Sequence, residues 1–237
     1  MRLRSVVPED GIAIDLEAVD ARTRLLALYK PLHREVVRLN LVTTLDGRAA
    51  GADGTSNSLT SRLDRLVLGV IRELSDVVLV GAGSLRREGY VRPRAAALAV
   101  LSASGDLRGH RIDGEAEHPL IVLTTEAGAE AAVDSLPTAE IVTLPSDEGG
   151  RVSLAGCIQA LRDRGLVSIV AEGGPEVAAQ LIADELVDEL CLTVMPRVGG
   201  PALPVFSSAA MPISTAVPHR LLVGDDGVLF GRWLLNA

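Results

Sequence analysis

Aromatic residues are scarce in this chain of 237 residues: they form 2% of it, as one Trp, two Tyr and two Phe. Any core must therefore rest on Leu, Val, Ile and Ala, and a platform for stacking nucleobases is not expected. Positive charge is also short. Lys and Arg number 23 against 31 Asp and Glu, a formal net charge of −8. That balance argues against a general nucleic-acid surface but leaves room for a small anion held by local arginines. Cysteine is limited to Cys157 and Cys191. Neither belongs to a CxxC pair and each lies in an apolar run, which reads as two buried free thiols and fits a reducing cytoplasm. No run approaches the ~20 apolar residues of a membrane helix. The basic N-terminus MRLRSVVPEDG lacks an apolar h-region, so no signal peptide is expected.

What the chain does have is apolar content of 48% and enough length for one large α/β domain or two small ones. Residues 1–35 read as an extension packed on a single domain of residues 36–237. Within the extension, Asp15 to Tyr29 has helical spacing, closed by Pro31. Val36 to Thr43 reads as a strand, and Thr44 to Thr60 has loop chemistry. Ser61 to Leu74 is the clearest helix, with Leu63, Leu66, Val67, Val70, Ile71 and Leu74 on one face. Thr60 or Ser61 can cap it, and Ser61 with Asp64 resembles a capping box. Asp76 to Val80 reads as a buried strand. Residues 84–118 give little pattern beyond a strand at Leu98 to Leu101, and the Ala/Gly/Arg-rich part reads as surface loop.

From Pro119 the alternation is cleaner. Strands are expected at Leu120 to Thr124, Glu140 to Leu144, Val167 to Ala171 and Leu186 to Met195. Helices are expected at Glu126 to Val133, Leu154 to Arg164 and Pro175 to Ala183. A hairpin around Gly224 to Gly227 would join Arg220–Val223 to Val228–Leu235. The fold class is α/β: a central, mostly parallel mixed sheet flanked by helices, with an antiparallel C-terminal edge.

Two glycine turns follow buried strands and precede helices: Gly81-Ala82-Gly83-Ser84 and Glu172-Gly173-Gly174-Pro175. Either alone is explained by an ordinary tight turn. Together, at the carboxyl ends of strands, they point to a phosphate-bearing ligand, because helix N-termini offer unpaired N–H groups and glycine admits close approach. The dinucleotide fingerprint GxGxxG is absent.

Several short motifs occur in one order. They are Thr44-Leu45-Asp46-Gly47-Arg48, Ser56-Asn57-Ser58-Leu59-Thr60, Ile71-Arg72 with Asp76, Val80-Gly81-Ala82-Gly83-Ser84, Glu172-Gly173-Gly174 and Val187-Asp188-Glu189-Leu190. In sum they resemble the pyrimidine reductase family of riboflavin biosynthesis. This is the reductase domain of the bifunctional deaminase-reductase, with a dihydrofolate-reductase-like fold, here without the deaminase domain. The resemblance implies NADPH and a phosphorylated ribosylaminopyrimidine as ligands. The ribose, as an open-chain aldehyde or imine, would be reduced to a ribityl chain by hydride from nicotinamide C4 to C1′. A positioned carboxyl would supply the proton directly or through water.

The same resemblance places Ser58, Gly81, Gly83, Ser84, Glu88, Thr124, Gly173, Gly174, Pro175, Glu176 and Val177 along NADPH. It places Ser56, Thr60, Arg72, Arg92 and Glu172 at the substrate, and makes Glu88, Glu172 and Asp46 the catalytic candidates. It also implies a homodimer, for which the apolar Leu186 to Met195 strand would supply an exposed edge. The chain departs from the family pattern in three places: Ser58 replaces a Trp, Glu88-Gly89-Tyr90 replaces Asp-Asp-Pro, and Arg48 replaces a Lys. Reduction of another heterocycle, dihydrofolate included, and NADPH binding without turnover are the alternatives.

Individual residues keep two readings. Asp46 before a glycine serves either a turn or catalysis. Glu172 either grips ribose hydroxyls or caps the next helix. Arg72 lies opposite the apolar stripe of its helix, so it faces either solvent, complementing the helix dipole, or a pocket; Arg65 shares that face. Arg92 and Arg94 could reach a phosphate. His33-Arg34-Glu35 has the form of a deaminase HxE, but no Pro-Cys-x-x-Cys follows, and the other histidines are scattered. No metal is expected.

Overall fold

Short apolar runs alternating with helix-period segments build one sheet of eleven strands. The computed structural model describes residues 2–113, 117–207, 211 and 213–235. The chain begins with β1 (Arg2–Val7), β2 (Ala13–Asp15), α1 (Ala21–Tyr29), β3 (Val36–Thr44), α2 (Arg62–Glu73), β4 (Val77–Gly81), α3 (Ala82–Glu88) and β5 (Tyr90–Val91). It continues through β6 (Ala97–Leu101), β7 (Ile112–Asp113), β8 (Leu120–Thr125), α4 (Ala129–Ser135), β9 (Glu140–Leu144), α5 (Leu154–Arg162) and β10 (Ser168–Ala171). It closes with α6 (Pro175–Ala183), β11 (Glu189–Met195), β12 (Ala216–Gly224) and β13 (Leu229–Leu235).

The strand order is β2-β1-β12-β13-β11-β3-β10-β4-β6-β8-β9. From β11 to β9 every pair is parallel. From β11 back to β2 every pair is antiparallel. The fold is therefore the expected mostly parallel mixed sheet with an antiparallel side. One core packs under α1 and α2 on one face, and a second packs under α5 and α6 on the other. Neighbouring parallel strands are buried on both sides, which is why β4 is buried at every position and reads as a continuous apolar run. Both cysteines are buried and free, and burial pushes the Cys157 thiol up to about 12.

Local chemistry sets the boundaries. Ser61 caps α2, its Oγ accepting the Asp64 N–H at 3.1 Å, and Leu63, Val67, Val70 and Ile71 bury that helix. The Asp76 carboxylate accepts the N–H groups of Val167 and Ser168 at 2.9 and 2.8 Å, tying β10 to the start of β4. Asp188 does the same for Val37 at 2.7 Å. Two acids of the motif set are thus strand clamps.

The structure differs from expectation in four places. The helical spacing from Asp15 yields a helix only from Ala21, because Ala13–Asp15 pairs with β1. Gly81-Ala82-Gly83-Ser84 is not a free turn, since Gly81 ends β4 and α3 starts at Ala82. Residues 92–115, read as surface loop, contain β7, which pairs with β5 just before them outside the main sheet; residues 114–116 lie outside those described. The C-terminal hairpin forms, but β1 pairs with β12 beyond it, and β11 lies between β13 and β3. The edge proposed at β11 therefore does not exist: its N–H and C=O groups have partners on both sides.

Candidate functional site

β3, β10 and β4 are parallel neighbours, so their carboxyl ends open on one side of the sheet, where α/β proteins bind ligands. There the two glycine segments join. Gly81 N donates to Gly173 O at 3.0 Å, and Gly174 N donates to Ser84 Oγ at 3.0 Å. Gly173 has φ +87°, and a Cβ on it would stand 3.2 Å from Leu41 Cδ2, so both its backbone and its surroundings require glycine. α6 follows with Pro175 in its first turn and no side-chain cap at its N-terminus.

A cleft of about 400 Å³ opens beside this junction, lined from β3 by Asn40 and Val42 and from the loop by Ser56, Asn57 and Thr60. α2 contributes Asp64, Arg65, Leu68, Gly69 and Arg72. Ser84, Arg87, Glu88, Tyr90, Glu172, Gly174 and Pro175 close it. The two readings of Arg72 are thereby decided: the polar face of α2 lines the cleft while its apolar face fills the core.

Arg72 pairs with Glu172 through two bonds of 2.6 Å, Nε to Oε1 and Nη2 to Oε2. The side chains are 22% and 9% exposed. Tyr90 completes the cluster. Its hydroxyl accepts from Arg72 Nη2 at 2.9 Å and donates to Glu172 Oε2, and the guanidinium sits 5.0 Å from its ring centroid. Burial opposes the Arg72 charge, but the Glu172 carboxylate outweighs it and raises the arginine further. Burial, then the Glu172 charge, raises the Tyr90 phenol well above its ordinary value. The cluster presents a rigid polar wall whose opposite charges balance.

Glu88 is occupied differently. Its carboxylate accepts the Ser56 N–H at 3.0 Å and the Ser56 hydroxyl at 2.9 Å, which pins the motif loop to the end of α3. Asp64 lines the cleft from the first turn of α2, accepting from the Thr60 hydroxyl. Burial raises its carboxyl above the ordinary value, with Thr60, Thr193 and Arg65 opposing.

Of the residues singled out in the sequence, Ser56, Thr60, Arg72, Ser84, Glu88, Glu172, Gly174 and Pro175 line this cleft. Others lie elsewhere. Asp46 accepts from Thr44 Oγ1 at 2.7 Å and Gly199 N at 3.0 Å; the Thr44 bond, then the Gly199 bond, holds its carboxyl below the usual range. The first bond is local to the turn, and the second ties the turn to the segment after β11. Arg92 donates to the His118 carbonyl. Thr124 is fully buried, its hydroxyl donating to Ala103 O at 3.3 Å. Ser58 donates to Asp53 at 2.5 Å within its own loop. Gly81 is buried under Val177, whose Cγ2 would be 3.2 Å from an added Cβ. Gly83 and Glu176 lie in α3 and α6, and neither is among the cleft-lining residues. Three further cleft residues are Asp64, which the sequence marks only as a cap, Tyr90, which it marks only as a departure from the family pattern, and Arg87. The spacing 64, 65, 68, 69, 72 is a helical stripe that could have revealed the first; no sequence signal places Tyr90 in the cleft.

Among the described residues no cluster of metal-ligating side chains is assembled, and no helix is long and apolar enough to cross a membrane. A glycine junction at the carboxyl ends of parallel strands, an uncapped helix start and a polar cleft thus lie together on one side of an α/β sheet. Residues 35–220 match the RibD C-terminal domain, and the chain belongs to that family, the pyrimidine reductases of riboflavin biosynthesis.

Riboflavin biosynthesis protein RibD of Aquifex aeolicus is 23% identical over 236 residues, covering 93% of this chain and 65% of that one. The chloroplastic riboflavin biosynthesis protein PYRR of Arabidopsis thaliana is 26% identical, covering 83% of this chain and 34% of that one. The chain thus spans less than two thirds of the length of either relative. Among solved structures, a pyrimidine reductase-like protein of Corynebacterium diphtheriae superposes with a TM-score of 0.74 at 22% identity, over 90% of this chain and 99% of that one. A diaminohydroxyphosphoribosylaminopyrimidine deaminase/5-amino-6-(5-phosphoribosylamino)uracil reductase of Thermotoga maritima gives 0.65 at 23% identity, over 85% of this chain and 57% of that one. These superpositions establish the fold.

Proposed function

We propose that this protein reduces the ribose of a phosphoribosylaminopyrimidine to a ribityl chain, using NADPH. The observation that carries the proposal is the meeting of the Gly81 and Gly173-Gly174 segments beside the Arg72–Tyr90–Glu172 wall in one cleft. The residues present suit NADPH. The uncapped start of α6 leaves N–H groups for a pyrophosphate, and the glycine junction has no side chain to hold a phosphate away. Gly173, Gly174, Pro175 and Ser84 would hold it, and bound there it would supply hydride. The protein's own part is to position and to balance charge. Glu172 and Arg72 would bind sugar hydroxyls through charge-assisted hydrogen bonds, and Glu88 would keep the Ser56 loop closed over the cleft.

The test is turnover with NADPH on a panel that includes the phosphoribosylaminopyrimidine and dihydrofolate. Reduction of the first at the sugar is the expected result. Preference for dihydrofolate would reassign the substrate, and NADPH binding with no turnover would make the chain a binding protein. Replacing Gly174 with Val should weaken NADPH binding about tenfold in a well-folded variant, because a Cβ there would already crowd Ser84 Oγ at 3.0 Å. NADH should be the poorer cofactor.

A homodimer belongs to the same proposal, on a different surface from the one first expected. α5 and α6 pack mainly over the parallel strands. The corresponding face of the antiparallel side carries Leu190, Leu192, Val194, Leu221, Val223, Leu229 and Trp233 along an apolar groove, with Val6 and Leu229 44% and 43% exposed. A twofold contact would cover it. Sedimentation of a monomer at micromolar concentration would refute this.

A further inference from the structure

Building on that reductase function, we propose that Asp64 is the catalytic residue that donates the proton. When a C=X bond at C1′ is reduced, X being the imine nitrogen or the aldehyde oxygen, the new C–H bond takes its electron pair from hydride of the reduced nicotinamide. The π pair passes to X, and X must gain a proton. The Asp64 O–H bond breaks to form X–H, and the carboxylate left behind recovers its proton from water.

The assignment follows from what the other acids are already doing. Three carboxyl groups line the cleft: Asp64, Glu88 and Glu172. Glu172 is held by both nitrogens of the Arg72 fork, and Glu88 by the N–H and hydroxyl of Ser56. Their oxygens are already taken by those donors. Asp46 does not line the cleft and is held by Thr44 and Gly199. Asp64 differs in kind. It forms no ion pair among the described residues, and the partners of its carboxyl are hydroxyls, Thr60 before it and Thr193 on β11. A hydroxyl accepts as well as donates, so this setting accommodates the proton-bearing acid. The charged or titratable groups that face it are Arg65 on its own helix and Tyr29 at the end of α1. Neither neutralises it by direct contact. Burial raises its proton affinity above the ordinary value, the direction a general acid needs.

The plainer role for an acid at this position is the capping box. Ser61 Oγ does accept the Asp64 N–H. The reciprocal bond from Ser61 N to the Asp64 carboxylate is not made; that carboxylate turns to Thr60 instead.

The deciding variant is Asp64→Asn, used in three measurements. The first is thermal stability of the ligand-free protein against pH. A carboxyl whose folded proton affinity is raised above its ordinary 3.8 destabilises the fold as pH rises through the folded value. Asp64→Asn should therefore match or exceed the wild type in Tm at pH 8, with the advantage shrinking towards pH 4. A capping role predicts a variant that is less stable at both. The second is the infrared carbonyl stretch of the protonated carboxyl, which in the wild type should persist above the ordinary 3.8 and should be lost in the variant. The third is the pH profile of kcat. Asp64→Asn should lose about 100-fold or more in kcat at neutral pH, lose the alkaline limb, and keep its NADPH affinity. An active variant with the wild-type pH profile, or absence of the carbonyl band, overturns the assignment of Asp64. A wild type that turns over no phosphoribosylaminopyrimidine overturns the reductase function itself, so the two failures are distinct.

Discussion

Two clusters of arginine, glutamate and tyrosine occur in this molecule, built from the same chemistry and put to opposite uses. In the cleft, Arg72, Glu172 and Tyr90 leave part of their surface exposed. Behind it, Arg38, Glu189 and Arg232 have side chains at 0 to 2% exposure, with the Arg232 guanidinium 5.6 Å from the Tyr29 ring centroid. Glu189 accepts from Arg232 at 2.7 and 2.9 Å and from Arg38 at 3.4 Å. Three further bonds go to backbone. Arg38 reaches Tyr29 O at 2.5 Å, and Arg232 reaches Leu28 O and Lys30 O. Those carbonyls end α1 and would otherwise lack partners. The sealed cluster fastens a helix to β3, β11 and β13; the open one offers its unspent edges to a ligand.

The largest break should come from the sealed side. Glu189→Gln leaves two buried guanidinium groups uncompensated, and Arg38 Nε and Nη1 already lack partners. A loss of about 3–5 kcal/mol in denaturant unfolding is expected. Burial opposes the Glu189 charge, yet the Arg232 and Arg38 contacts outweigh it and hold its carboxyl below the ordinary 4.5. Its stabilisation is therefore complete above that value and lost as pH falls through the lower folded one. Wild-type stability should drop with acid in that window, and a flat response there would remove Glu189 from the account.

On the open side the balance should reverse. Glu172→Gln should cost stability less than about 1 kcal/mol, since Arg72 keeps access to water. Activity should fall by on the order of tenfold or more, as expected for losing a charged hydrogen bond of about 1.5–3 kcal/mol. A variant that loses stability while keeping activity would show that the carboxylate only props up α6. Arg72→Ala should raise KM for the pyrimidine more than it weakens NADPH.

The smallest effect separates the two tyrosines. Tyr90→Phe keeps the ring under Arg72 but removes two hydrogen bonds, for about 0.5–1.5 kcal/mol, read as a modest rise in substrate KM. Tyr29→Phe should change substrate KM less than Tyr90→Phe, because Tyr29 meets Arg38 through its backbone carbonyl and does not line the cleft. Equal kinetic effects would erase the distinction between the clusters.

Much of this was legible along the chain because periodicity is a local property. The 3.6-residue stripe of α2, the all-apolar β4 and the glycines after two strands follow from residues near each other in sequence, and the ordered motifs resemble a reductase family strongly enough to name it. Pairing was not legible. Arg72 and Glu172 lie a hundred positions apart, and nothing local says that their charges meet. Arg38 sits mid-strand in an apolar run and was passed over, since its partners come from β11, β13 and the end of α1. The short β1 and β2 carry too little alternation to announce themselves, and they changed which strands form the edge.

By itself the sequence determined the alternation of elements, the helix caps, and the positions where only glycine suits the backbone, since each depends on neighbours within a few residues. The strand order decided the rest. It brought β4 beside β10, so the glycine segments share hydrogen bonds, and it placed the polar face of α2 over a cleft instead of in water. It also decided which carboxylates meet cations and N–H groups and which one meets only hydroxyls. Those outcomes depend on burial and on charges brought together through space, and both exist only once the chain has closed on itself.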